Sequence, residues 1–267
     1  MTPEHEACVN DFVTRCFRDT ADTDYISARA CYRIGLIDQF LWLGTQAIEK
    51  YLKGILVLYE RNTKKIGHNL TKAITKVESI PDIPWDFSSE LKEFLEHLTT
   101  YGNNRYFVIP RIRKGRELFQ MDDAVWSVRR YCQCLSYTHE WESQIPDKSF
   151  FETYVTGLAS PECRKAPHAF RLLVKGYLEE VVLTDKYPEQ RGHLVWKNLY
   201  YGRCRKRVVC YRKVESFSQP AHFVHPEVFE WLSTKVDFYK EVREHFKEGC
   251  QQRTVEYFST PGGLKRL

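Results

Sequence analysis

Apolar residues recur at steps of three and four through much of the first half of the chain. The clearest run is Ile37, Leu41, Gly44, Ile48, Tyr51, Ile55 and Leu58, widened by Phe40, Ala47, Leu52 and Tyr59. This spacing predicts an amphipathic helix from about Asp38 to Glu60, on the order of 34 Å long. Before it, Tyr25, Ala28, Cys31 and Tyr32 form a second stripe, with Asp24 as its expected N-cap and Gly35 placed to end it. A short helix is expected over Pro3 to Phe17. After the long helix a polar turn, Arg61-Asn62-Thr63-Lys64-Lys65-Ile66-Gly67, leads to a helix starting near His68 or Asn69. Further stripes predict helices over Glu90 to Thr100 and from Asp122 or Asp123 through Tyr137. Between them lies a basic loop, Arg105 to Arg116. The first half therefore reads as an antiparallel helical bundle.

A break at Pro146–Ser149 marks the expected boundary between domains 1–145 and 146–267. Helical patterns beyond it cover about 149–159, 167–184 and 226–247, and Val208-Val209-Cys210-Tyr211 could form a short strand. The expected class is all-α, with a mainly helical C-terminal extension that includes at most a short β element. The last twenty residues read as a tail.

At 267 residues, 43% hydrophobic and 28% charged, the composition is that of a globular protein. No apolar run reaches membrane-spanning length, and the acidic start does not resemble a signal peptide, so a soluble, cytosolic chain is expected. Nine cysteines without C-x-x-C pairs are expected to be reduced thiols. The charge changes the picture more. Residues 1–145 carry 19 basic and 20 acidic side chains, residues 146–267 carry 21 and 15, so the positive excess lies in the second half. An anionic partner is sought there first.

Gln46, Glu49, Lys50 and Lys53 lie three and four apart and form one polar strip on the long helix. Two lysines beside a glutamine suit a phosphate and a base edge. The plainer reading is a Glu49–Lys53 pair with Gln46 bonded to a neighbouring loop. In sequence order, Ala28, Gly35-Leu36-Ile37-Asp38, Gln46-Ala47-Ile48-Glu49-Lys50-Tyr51-Leu52-Lys53 and Gly67-His68-Asn69-Leu70 resemble the HEPN family (higher eukaryote and prokaryote nucleotide-binding domain). Arg105-Tyr106 echoes the family's R-Y-P, with Phe107 in place of proline. The resemblance covers roughly residues 20–142. It implies a helical bundle, dimerisation through that bundle, and the handling of nucleotides or RNA, in a setting such as bacterial stress or phage defence.

Many members of that family are metal-independent ribonucleases that use an arginine, a polar residue and a histidine four to six residues on, paired across a dimer interface. Arg61-Asn62 with His68 fits that spacing at its upper edge. Arginine grips phosphate in two places and histidine titrates near neutrality, as activation of a ribose 2′-hydroxyl requires. The pair falls in the turn after the second core helix, however, whereas the family motif usually sits on the last. There Arg129 and Arg130 precede His139 by too wide a gap. The alternative is a non-catalytic helical module for dimerisation or partner binding, with His68 a structural residue of the turn.

One further feature is specific. Arg203-Cys204-Arg205-Lys206-Arg207-Val208-Val209-Cys210-Tyr211-Arg212-Lys213 holds six cations and no acid. Cations with interleaved rings suit single-stranded nucleic acid, and a solvated strand edge is the other reading. Arg105, Arg203, Arg205, Lys206, Arg207 and Tyr211 join Gln46, Lys50 and Lys53 as candidate nucleotide or RNA contacts. Cys204, Cys210, His222 and His225 miss zinc-finger spacing at both gaps, so no metal or other cofactor is expected. Asp122-Asp123 and Glu179-Glu180 are neighbours that fall on different helix faces. No phosphate-binding glycine loop or hydrolase elbow is present.

Overall fold

The helical stripes of the first half become helices packed around the long one. The computed structural model describes residues 3–81, 83–102, 111–113, 115–132, 156–157, 159–160, 162–163, 176–202, 216–218 and 231–235. Helix α1 (Pro3–Val13) runs through a π-helical stretch (Thr14–Asp19) into α2 (Thr20–Arg33). Then come α3 (Ile37–Leu58), α4 (Leu70–Glu78), α5 (Ser89–Tyr101) and α6 (Glu117–Arg129). Helices α7 (Tyr177–Leu183) and α8 (Pro188–Val195) follow. Three-residue strands β1 (Arg111–Arg113) and β2 (Ser216–Ser218) pair antiparallel, Ile112 opposite Phe217. The described chain is mostly helical, as the stripes require.

Helix ends follow local chemistry. Gly35, at φ +87°, closes α2: its N–H donates to the Tyr32 carbonyl at 3.1 Å and that of Leu36 to Cys31 at 2.8 Å. So short a turn sends α3 back along α2. The contacts Tyr32–Phe40, Asp24–Lys50 and Asp22–Tyr51 lie progressively farther from it, as in an antiparallel hairpin. Asn69 caps α4 by accepting from the Lys72 N–H at 2.8 Å, and Ser88 caps α5 from Leu91. Gly44 allows close approach, since a Cβ there would overlap the Met121 side chain of α6.

Helix α3 packs on α2, α4, α5 and α6 and buries Phe40, Ala47, Ile48, Tyr51, Leu52 and Ile55 completely. Leu178, Val181, Leu194 and Tyr201, from residues 177–202, belong to the same continuous core. The boundary expected near residue 146 lies outside the described residues.

Two expected helix starts move. Asp24 does not cap α2, because helical backbone continues upstream and Asp24 instead pairs with Lys50 at 2.6 Å. Helix α6 opens at Glu117, upstream of Asp122, which sits buried within it against Arg29. Helix α8 falls in a stretch where no helix was expected, although Pro188 at its first position is a start signal. The strand expected at Val208–Tyr211 lies outside the described residues.

A buried polar network joins the bundle to residues 177–202. Arg129 donates to both Asp22 oxygens at 2.7 and 2.8 Å, to both Glu179 oxygens at 2.9 and 2.8 Å, and to the Tyr201 hydroxyl at 3.2 Å. Arg29 donates to Asp122 and to the main-chain carbonyls of His193 and Trp196. Both arginines and both aspartates are fully buried. Burial alone lowers the Arg129 pKa, but the carboxylates of Asp22 and Glu179 more than offset it and hold the guanidinium charged. Asn198 locks the adjoining loop, donating to the Tyr25 hydroxyl and accepting from the N–H groups of Tyr200 and Tyr201.

Candidate functional site

The polar strip of α3 faces two neighbours. Lys50 reaches across to Asp24 of α2 at 2.6 Å. Glu49, whose side chain is only 8% exposed, accepts from Lys53 Nζ through Oε1 at 2.6 Å. Its other oxygen, Oε2, lies 2.8 Å from Nδ1 of His68. The strip therefore holds the expected Glu49–Lys53 pair. Gln46 Nε2 is buried with no hydrogen-bond partner among the described residues.

The turn between α3 and α4 is anchored at several points. The Arg61 N–H donates to the Leu56 carbonyl at 2.7 Å and closes α3, while its side chain stands in solvent. The Asn62 side chain accepts from the Lys64 N–H, and its carbonyl accepts from Lys76 Nζ. Ile66 is buried as a plug, Gly67 turns at φ +60°, and the Leu70 N–H donates to Thr99 Oγ1 on α5. His68 thus leaves a fixed backbone. Its ring is 43% exposed and is held by Glu49.

A carboxylate at Nδ1 selects the tautomer that carries its proton there, which places the basic lone pair on Nε2. Arg61, Lys64, Lys65 and Lys72 surround this turn in sequence, are exposed, and have no ion-pair partner among the described residues. The strip and the turn are thus electrostatically different. Lys50 and Lys53 are already neutralised by Asp24 and Glu49, whereas the cations of the turn are open to an anion.

Arg129 and Arg130 are fully buried, the second donating to Asp86, so neither resembles a substrate-gripping arginine. Arg105, Arg203, Arg205, Lys206, Arg207 and Tyr211 lie outside the described residues, as do Cys204, Cys210, His222 and His225. Sequence reading missed Lys64, Lys65 and Lys72 as candidates, although the first two stand in the polar turn it singled out. It also missed that Glu49 meets His68, since 19 residues and a turn separate them.

A central amphipathic helix, a hairpin partner before it, and a histidine-bearing turn packed back on its polar strip define a class of all-helical bundle with a surface site. Residues 14–134 match the family model of the HEPN domain. Comparison with curated proteins and with solved structures finds no match. No helix among the described residues is long and apolar enough to cross a membrane.

Proposed function

We propose that the HEPN domain binds RNA or nucleotide phosphate at the α3–α4 turn, and that it acts as a metal-independent endoribonuclease when two copies pair through the bundle. The observation that carries this reading is the exposed His68 ring, pinned through Nδ1 by the buried Glu49 carboxylate. A base needs solvent access and a fixed orientation together, and a merely structural histidine needs neither. In this reading His68 Nε2 takes the proton of a ribose 2′-hydroxyl. The 2′-oxygen attacks the adjacent phosphorus, the bond to the 5′-oxygen breaks, and that oxygen takes a proton from water. Arg61 holds the phosphate, Asn62 shapes the turn and Glu49 positions the base.

The test is cleavage of labelled RNA in EDTA by wild type, His68→Ala, Arg61→Ala and Glu49→Gln, with folding and dimer state checked. His68→Ala is expected to lose about 10²-fold or more in rate. Glu49→Gln is expected to lower the rate at saturating RNA while leaving RNA affinity nearly unchanged. Cleavage that survives His68→Ala removes this base. A second reading, a non-catalytic dimerisation or partner-binding module, is favoured by the neutralised Lys50 and Lys53. Persistent dimers that neither bind nor cut RNA would support it.

A further inference from the structure

The two sides of α1 and its π-helical continuation differ in character. On the inner side Asn10 and Val13 are buried, and Val13 and Phe17 pack against α3 at Gly54. On the outer side Cys8, Phe12 and Cys16 are exposed at successive turns, and both cysteines are free thiols. Phe12 is 54% exposed, with its ring in a T-shaped contact with Phe17 at 5.9 Å. Asp11 and Arg15 stand on one flank of this stripe, paired at 2.8 Å and largely in solvent.

A single exposed phenylalanine calls for no explanation. One with a thiol four residues to either side does, because the stripe is its own complement. A two-fold axis through Phe12 sets a second copy antiparallel, with the two Phe12 rings in the middle and each Cys8 facing the partner's Cys16. Helices about 10 Å apart leave about 5 Å between facing Cα atoms, a separation that a disulfide spans. The flanking charges then fall on one side of the pair. Along the axis their order is the partner's Arg15, Asp11, the partner's Asp11, Arg15, at steps of about 3 Å, so both acids lie between arginines. Parallel pairing would put the two charged flanks on opposite sides, where they do not meet.

We propose that the outer face of α1 pairs antiparallel with the same face of a second copy of this chain, and that a small disulfide of the glutathione class locks the pair through Cys8–Cys16 bonds. The Cys8 thiolate attacks one sulfur of the glutathione disulfide and expels the other glutathione as thiolate. The partner's Cys16 thiolate then attacks the Cys8 sulfur and expels the second glutathione. The two cysteine protons end on the two glutathione thiolates, so each new bond consumes one glutathione disulfide. Within one chain the same bond does not form, since eight helical residues hold the Cα atoms about 12 Å apart. This pairing does not rest on the RNA reading of the bundle.

The experiment incubates the folded full chain with oxidised glutathione and maps the cross-linked peptides after a non-reducing gel. Sedimentation follows the reduced chain. Wild type is expected to form a covalent dimer carrying the Cys8–Cys16 link. Cys8→Ser and Cys16→Ser should each lose that link when alone, and a mixture of the two should regain one such bond per dimer. Phe12→Glu, shown to be folded by thermal melting, is expected to slow the linking about tenfold or more, as loss of a central apolar anchor does. Links that join only Cys8 to Cys8 and Cys16 to Cys16 overturn the antiparallel register. Phe12→Glu linking as fast as wild type overturns Phe12 as the centre. A wild type that takes up glutathione at both cysteines and stays unlinked overturns the pairing altogether; a dimer still seen by sedimentation would then leave pairing through the rest of the bundle standing.

Discussion

Asp22 is a heavily used acceptor among the described residues at the centre of the protein. It receives the Tyr51 hydroxyl at 2.6 Å, two N–H groups of Arg129, and the Leu178 N–H at 3.2 Å. Burial, reinforced by the Asp22 charge, pushes the Tyr51 hydroxyl well above the ordinary tyrosine range, and Tyr25 beside Asp122 is raised in the same way. A tyrosine whose folded pKa is raised ionises first in the unfolded chain. Stability is therefore retained below about pH 10 and lost as pH climbs past it. Tyr51→Phe is expected to cost about 1–3 kcal/mol at pH 7, because a charged acceptor loses a buried donor. It should also flatten the alkaline decline relative to wild type. Urea unfolding at pH 7, 9 and 10.5 checks both; an unchanged decline would mean that Tyr51 does not couple to folding in this way.

At the scale of elements, the two ends of the α2–α3 hairpin use the same cap with different residues. Gly35 sits at φ +87° after α2, and Glu60 sits at φ +56° after α3, where its N–H donates to Val57 and that of Arg61 donates to Leu56. A side chain in the left-handed region is strained, so Glu60→Gly is expected to stabilise by up to about 1 kcal/mol, seen as a higher melting temperature. Helix α3 was legible because 22 residues keep one stripe, and Gly35 and Asn69 are local signals that no distant contact overrides. The start of α6 was not legible. Asp122 looks like a cap, yet it lies inside the helix because Arg29, 93 residues away, needs a buried carboxylate. The strip Gln46–Lys53 could be read from its spacing, while the Glu49–His68 contact could not, since it depends on how Ile66 plugs the turn. Strands of three residues carry too little periodicity to announce themselves.

Over the whole molecule, residues 177–202 are held to the bundle by charge as well as by apolar burial. Asp22 and Arg29 are seven residues apart on α2. The first turn of α7 lays the Leu178 N–H on Asp22, and the carbonyls of His193 and Trp196, at the end of α8, lie on Arg29. Each end of the α7–α8 pair thus meets the charge that complements its exposed backbone groups. Glu179→Ala would leave Arg129 buried with Asp22 as its remaining carboxylate among the described residues and is expected to cost about 3–5 kcal/mol. Amide exchange on the full chain should then show protection falling together in α2, α6 and 177–202. Protection lost from 177–202 alone would mean that this segment opens by itself.

That geometry bears on portability. Cut out along the limits of its family match, 14–134, the domain would carry its history with it: Arg29 would lose both main-chain acceptors and Arg129 its second carboxylate. A host protein receiving the graft would have to supply an acid and a helix end of its own. In this chain the recognisable module and the unit that can stand alone are therefore expected to be different lengths of polypeptide.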